Sequence, residues 1–446
     1  MFLRKIDSID AVNNFLVIDS PTRYSLKTRD NARVYHAGPH ISECGIESIS
    51  FGNRENPGTG WAEEDYSSPG TGAYDVHASH VMHFKYAMDC WVKNVHTYQP
   101  EENTADIHVL SNCLVMNMCR NITVDACDFQ KPQYEGGGGN GYMFTLNGND
   151  CLVQNSRANH SRHNYDFKYP HSNGNVILNC RGENSKYSSD FHMYLSMANL
   201  VDGFTVDGDY LECAFRPYGG TVIHGYPSTQ SVFYNTYGAS YHTNKDYIID
   251  SRQFDWGIVT GTSGPAANVK TTPVSGTQNG YSFDTSPEDY VEGKGKGADL
   301  RPVSLYRDQL ERRRNGYGPV VRYYSVQVEV KNEFTGMPVE GAMVTLNDTV
   351  KVTDPSGLVS YSDIPGFVEL SVSAENFATY EKRTLVVYSD TVIRVRLAPV
   401  EHNVTFQLLD SRTHEPFWGV NVYLNDIKEV TDDEGFVHYA LPSGMY

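Results

Sequence analysis

Short apolar runs, each closed by Asn or Asp, recur between about residues 40 and 260: Trp91-Val92-Lys93-Asn94, Ile122-Thr123-Val124-Asp125, Leu152-Val153-Gln154-Asn155, Val176-Ile177-Leu178-Asn179, Phe204-Thr205-Val206-Asp207 and Val232-Phe233-Tyr234-Asn235. Their polar ends lie 31, 30, 24, 28 and 28 residues apart. That interval is too short and too β-rich for a strand–helix–strand unit, and no helical periodicity runs through it. One coil of a parallel solenoid fits: apolar residues point inward and successive coils stack at about 4.8 Å. Asn94, Asp125, Asn155, Asn179, Asp207 and Asn235 are then expected to form one corner column, their side chains satisfying turn backbone groups and one another.

A second repeat is sharper. Pro338, Gly341, Leu346, Asn347, Asp348, Thr353, Asp354, Gly357, Val359 and Tyr361 recur as Pro416, Gly419, Leu424, Asn425, Asp426, Thr431, Asp432, Gly435, Val437 and Tyr439, always offset by 78. Alternating Val326, Val328 and Val330 and the turns at Asp354-Pro355-Ser356-Gly357 and Asp432-Asp433-Glu434-Gly435 predict small β-sandwiches with half-buried strands. The chain thus reads as all-β: a solenoid over 1–300, a short helix and linker over 301–324, one sandwich over 325–399 and an incomplete copy over 403–446. Residues 262–300, rich in Gly, Ser, Thr and Pro, read as an irregular wrap or linker. A helix is expected over Ser304 to Arg314, with Ser304 at its start and Arg312, Arg313 and Arg314 favouring its C-terminal dipole.

Composition narrows the function classes. The 446 residues carry a net charge of -18, which repels a phosphate backbone, so a nucleic-acid partner is disfavoured. No run of 18 apolar residues exists to span a membrane. Charge within Met1-Phe2-Leu3-Arg4-Lys5-Ile6-Asp7 argues against an export signal in this chain. With the second C-terminal copy stopping partway, the expectation is a fragment of a longer protein. The eight cysteines, all at or before Cys213, include no closely spaced pair that suggests zinc, and their apolar neighbours suggest buried free thiols. No cofactor or metal is read here; a calcium requirement is not legible.

The coil pattern resembles the right-handed parallel β-helix superfamily of pectate-lyase-like proteins over roughly residues 1 to 300, and the duplicated sandwiches resemble transthyretin-like, carboxypeptidase-regulatory-like modules. The resemblance implies a secreted or cell-surface protein acting on polysaccharide, with the sandwiches accessory. It does not reach the best-known catalytic motifs. The solenoid has neither the Asn-Thr-Asp-Gly nor the Gly-Asp-Asp run of polygalacturonase-like hydrolases, and Tyr165-Asp166-Phe167-Lys168-Tyr169-Pro170-His171 only partly matches the motif of alginate epimerases.

Candidate chemistry therefore comes from the residues. Arg157, Arg162, Lys168, Arg181 and Lys186 outnumber Asp166 and Glu183 between residues 157 and 186, a positive patch on an acidic chain that suits an anionic ligand. Strand alternation with Tyr165 and Phe167 inward puts His163 inward and Arg162, Asn164, Asp166 and Lys168 outward. The same rule sends Phe191, Met193, Leu195 and Met197 inward, His192 and Tyr194 outward, and Arg216 outward opposite Cys213 and Phe215. Arg162, His192 and Arg216 are one coil apart in sequence, so they are expected on adjacent rungs.

Such a column suits β-elimination on a uronate glycan. Arg162, Arg216 or Lys168 would neutralise the carboxylate, while either His192 or Tyr194 would take the proton and the other protonate the leaving oxygen. Asn164, Asp166, Lys168, Asp190 and His224 are expected to bind substrate. The alternatives are a glycoside hydrolase using carboxylates such as Asp166 and Asp190, and a non-catalytic adhesin or tailspike-like glycan binder. The run Glu135-Gly136-Gly137-Gly138-Gly139-Asn140-Gly141 lacks the Lys-Ser/Thr ending of a phosphate loop and reads as a loop beside the groove. Asn53 to Tyr74, where Pro57-Gly58-Thr59-Gly60 recurs as Pro69-Gly70-Thr71-Gly72 around Trp61, reads first as an ordinary long solenoid loop, with an aromatic platform beside the groove as the alternative.

Overall fold

The computed structural model describes residues 1–11, 15–217, 223–316, 323–347, 349–364, 367–387 and 390–442. Asp348 of the duplicated pattern, residues 317–322 of the expected linker and the last four residues lie outside these. The chain divides into two compact units, Met1–Glu311 and Arg312–Tyr446.

The first unit is built of parallel sheets in a β-helix-like winding. One sheet stacks Ile41–Ser42, Ala87–Met88, Asn112–Arg120, Tyr142–Asn149, His163–Lys168, Ser189–Met193, Leu211–Ala214, Ile249–Arg252 and Val269–Lys270 in chain order. The second holds two short strands from each coil. Thr123–Asp125, Leu152–Gln154, Val176–Leu178 and Leu200–Asp202 form one series, and Asp128–Gln130, Arg157–Asn159, Arg181–Glu183 and Thr205–Asp207 the other. The long strand Val232–Ser240 pairs with the last member of both series.

A single residue with positive φ turns the chain between the paired short strands: Asn94, Ala126, Asn155, Asn179 and Asn235, with Gly203 on the intervening coil. Asp125 and Asp207 do not belong to this column. Asp125 pairs with Gln154, one position before the corner, and Asp207 ends a strand of the other series. Where Asn does sit in the corner the amides interlock, Asn179 donating to Asn155 at 2.9 Å and Asn155 to Asp125 at 2.9 Å.

The core runs along the coil axis. Val92, Val124, Val153, Ile177, Val201 and Phe233 fill it from one series, with Phe129, Ala158 and Val206 from the other. Opposite them the first sheet contributes the stacks Phe144 on Tyr165 at 4.8 Å and Phe167 on Phe191 at 4.5 Å. Each such aromatic pair is worth about 0.5–1.5 kcal/mol beyond its buried area. All eight cysteines are free, and all but Cys44 are buried. Residues 262–300 are more than a linker, because Val269–Lys270 and Tyr290–Glu292 add a strand to each sheet. The helix spans Leu305–Arg314; Ser304 Oγ accepts from Arg307 N at 3.2 Å and donates to Asp202 at 2.8 Å.

In the second unit, Leu358–Ile364, Tyr324–Asn332 and Thr391–Leu397 form one sheet and Thr349–Val352, Met343–Leu346, Phe367–Ser373 and Tyr380–Val386 another, around a core of Val328, Val344, Leu370 and Val395. The sequence duplication is repeated in the hydrogen bonds. Tyr361 Oη donates to Val344 O at 2.7 Å, as Tyr439 Oη does to Val422 O at 2.9 Å. Thr353 and Thr431 donate to Val339 O and Phe417 O at 2.7 and 2.6 Å.

Candidate active site on the outer face of the first sheet

Register places Thr145, Asp166, Asp190, Glu212 and Asp250 side by side across successive rungs. Like charges directly opposed in a sheet are unfavourable, and the sequence meets each with a nearby cation. Lys168 lies 3.1 Å from Asp166, Arg216 lies 2.6 Å from Asp190 and also bonds Glu212, and Arg252 holds Asp250 at 2.7 Å.

The central two carboxyls have fully buried side chains. Burial, with Asp190 alongside, pushes Asp166 up to about 8, Lys168 pulling the other way. Burial would raise Asp190 too, but Arg216, His163 and His192 outweigh it and hold it well below the usual carboxylate range. Asp166 Oδ1 and Asp190 Oδ1 are buried with no donor aimed at them. A proton on Asp166 meets this need, and it leaves Asp190 and Glu212 balanced by Lys168 and Arg216. The cluster is thus neutral only with Asp166 in its acid form.

Imidazoles surround the pair. His192 Nδ1 lies 2.9 Å from Asp190 Oδ2 and 3.0 Å from Arg216 Nη1. His163 Nδ1 donates to Ser188 O at 2.7 Å, and its ring stacks on Tyr142 at 4.7 Å. Burial lowers His163 to about 4 and keeps His192 neutral, well below the ordinary histidine value, despite the pull of Asp190. His224 stands 4.8 Å from His192 and 6.5 Å from Tyr194, ring to ring. Lys168 Nζ sits 3.7 Å over the Tyr142 ring; burial raises that phenol to about 12. The solvent-facing layer is therefore His192, Lys168, His224 and Tyr194, above buried Asp166, Asp190 and Arg216.

Several expected positions need correction. Asn164 turns inward, donating to Asp209 at 2.9 Å and to Glu183 O at 3.0 Å, while His163 joins the outer cluster. Alternation slips at the start of this strand, where Asn164 and Tyr165 are both taken inside. Arg162 does not share the His192 column; it bonds Glu63 and Glu135 O and lies over Tyr187 at 4.7 Å. Arg216 faces the site but is spent on two carboxylates. Met193 and Leu195 stay out of the core, because a register shift follows Phe191 and consecutive positive φ at Tyr194 and Leu195 turn the chain. Tyr142 and Glu212 escaped sequence reasoning, and His163 was expected in the core. The legible signal was the Glu212-x-x-x-Arg216 spacing; nothing local marked Tyr142.

His163, Asp190 and His192 each offer a ligand atom within 4.8 Å of the others, the group among the described residues that could hold a metal. The fit is poor. The Arg216 guanidinium already stands where a cation would neutralise Asp190.

No protein-family model matches this chain, and no curated protein matches it. Among solved structures it is similar to the Bacillus anthracis TIE protein, at 16% identity over 27% of this chain and 26% of that one, with a TM-score of 0.20. It is also similar to the Streptococcal ancillary pilin, at 12% identity over 40% of this chain and 62% of that one, with a TM-score of 0.16. The chain thus spans less than two thirds of the length of either. Likeness this slight leaves the functional reading to the geometry of the site.

Proposed function

We propose that the chain is a right-handed parallel β-helix of the pectate-lyase-like kind, carrying transthyretin-like accessory modules, and that it cleaves an acidic glycan outside the cell by β-elimination. The observation that carries this reading is the Asp190–His192 contact, capped by Arg216 and opening towards Lys168, Tyr194 and His224. In the tautomer with Nδ1–H on Asp190, rather than the one in which Nδ1 accepts from Arg216, the other nitrogen of neutral His192 is left to take the proton from the carbon next to a uronate carboxylate. The electron pair left behind forms the new carbon–carbon double bond as the neighbouring carbon–oxygen bond breaks. Tyr194 protonates the departing oxygen, and Lys168 offsets the carboxylate charge that builds in the transition state. Arg216 acts through Asp190, as a positioning residue.

Burial argues against hydrolysis by Asp166 and Asp190. Glycosidase carboxyls flank the sugar, about 5–9 Å apart, whereas these two are fully buried on neighbouring rungs with no room for a sugar between them.

Incubation with a panel of uronate glycans tests the proposal. Wild-type protein is expected to generate the ultraviolet absorbance of an unsaturated uronate, and His192→Ala to lower that rate by about 10²–10⁴-fold. New reducing ends without the absorbance would replace elimination with hydrolysis. Binding without any shortening of the glycan would leave a glycan-binding adhesin.

A further inference from the structure

A second concavity lies at the start of the first sheet, apart from the His192 cluster. It encloses about 550 Å³ and is lined by Trp61, Lys131, Tyr134, Glu135, His160 and Lys186, with Asp106 at its rim. Two loops build it and lock together: Tyr134 Oη donates to Glu63 O at 2.9 Å and Gly137 N donates to the same oxygen at 2.6 Å. Gly136 and Gly138 permit this approach, since a Cβ on either would run into the ring of Tyr134 or Tyr66. Trp61 is fixed by its Nε1 donating to Gly58 O at 3.0 Å and by packing 6.1 Å from Tyr134.

Glu135 is the group this architecture leaves unused. Its backbone carbonyl is clamped by Lys186 Nζ at 2.9 Å and Arg162 Nη1 at 3.0 Å, and both cations are paired with Glu63 behind it. The residue itself lines the cavity. Burial raises its carboxyl to about 7, although Lys186 and Arg162 pull it down. While Glu135 carries its proton, the lining holds two cations, Lys131 and Lys186, against the single carboxylate of Asp106.

We propose that this cavity is a binding subsite for an acidic sugar residue of the glycan, with the indole of Trp61 under the apolar face of the sugar ring and Glu135 with Lys186 on its carboxylate. The assignment rests on the functional reading above and extends it: Arg162 and Tyr187 bridge the cavity to His163, so one chain lying along the rungs reaches both places. An uncharged Glu135 donates to a uronate, while its ionised form repels one. The charged groups acting on it are Lys186 and Arg162, both paired with Glu63, and Lys131, Asp106 and the His160 imidazole share the lining.

Calorimetric titration with size-graded oligogalacturonates and oligoalginates, with neutral cello-oligosaccharides as the control series, tests this. Trp61→Ala is expected to weaken binding of the longer acidic oligomers about tenfold. Wild-type affinity is expected to fall between about pH 6 and 8, with the fall abolished by Glu135→Gln and kept by His160→Asn. Equal binding of the neutral series, or acidic binding indifferent to both Trp61→Ala and pH, overturns the proposal. If circular dichroism shows Trp61→Ala unfolded, the Glu135→Gln comparison decides alone. Trp61-dependent binding with no elimination product on any glycan sinks the lyase reading and keeps the subsite; elimination with acidic binding indifferent to both Trp61→Ala and pH does the reverse.

Discussion

Arg216 is the residue on which the buried cluster turns. It pairs with Asp190 at 2.6 Å and with Glu212, and its side chain is 5% exposed. Arg216→Met would strand a fully buried carboxylate, and breaking one side of a buried pair costs about 3–5 kcal/mol. A denaturant midpoint lowered to that extent is expected, with much of the loss recovered in Arg216→Met/Asp190→Asn, because the second change removes the stranded charge. Asp166 supplies a pH signature. Its folded-state pKa of about 8 exceeds its ordinary value near 3.8, so the native state holds a proton that the unfolded chain releases. Its contribution to stability is complete below about pH 4 and is lost as pH rises to about 8, with a slope of at most about 1.4 kcal/mol per pH unit. Asp166→Asn is expected to remove this component, and the wild-type minus variant difference in unfolding free energy should fall steadily over that window. A flat difference would mean that Asp166 is ionised in the native state. The same ionisation adds negative charge beside Lys168, so elimination by the wild type is expected to decline above about pH 8 and by Asp166→Asn to persist.

The left-handed corners are what made the strands legible, and also where the sequence misled. Asn recurs because a short polar side chain tolerates positive φ and bonds locally, so four corner positions were visible as Asn94, Asn155, Asn179 and Asn235. The same geometry is met by Ala126, which carries no polar signal, and by Gly203, whose missing side chain adopts it freely, so the expected column runs through Asp125 and Asp207 instead. That misplaces the corner by one residue at Asp125 and by four at Asp207, which lies in the other series. The site suffered from the same cause: alternation holds through Tyr165, Asp166, Phe167 and Lys168 but fails where Asn164 tucks inward to Asp209 and where the chain bends after His192. That is why His163 was sorted to the core and Asn164 to the surface. Asn155, at φ 50°, offers a direct test. Asn155→Gly is expected to lose only the amide bonds to Asp125 and from Asn179, whereas Asn155→Val adds a left-handed penalty of about 1–2 kcal/mol. Urea titration should rank the wild type first, Gly second and Val last; a Val variant as stable as the Gly variant would mean the corner does not constrain φ in solution.

At the scale of the whole molecule two electrostatic fields oppose each other. The chain carries a net charge of -18, and the proposed substrate is a polyanion, so diffusional encounter is uphill. The cations that would engage the glycan are short-range: Lys168 is 12% exposed, and Lys186 and Arg162 are tied through Glu63. Salt separates the two fields. Repulsion between distant exposed charges is screened once the Debye length drops to about 10 Å near 0.1 M, while contacts within a partly buried site are screened much less. Raising NaCl from about 0.01 to 0.1 M is therefore expected to increase kcat/KM on a long uronate glycan, mainly through faster association. On a uronate dimer, which carries few charges and meets little long-range repulsion, the gain should be small. A fall in kcat/KM with salt on both substrates would show that the positive patch, rather than the acidic remainder, governs approach; the steering field would then be concentrated around Lys168 and Lys186, and their replacement by Met should abolish the salt dependence.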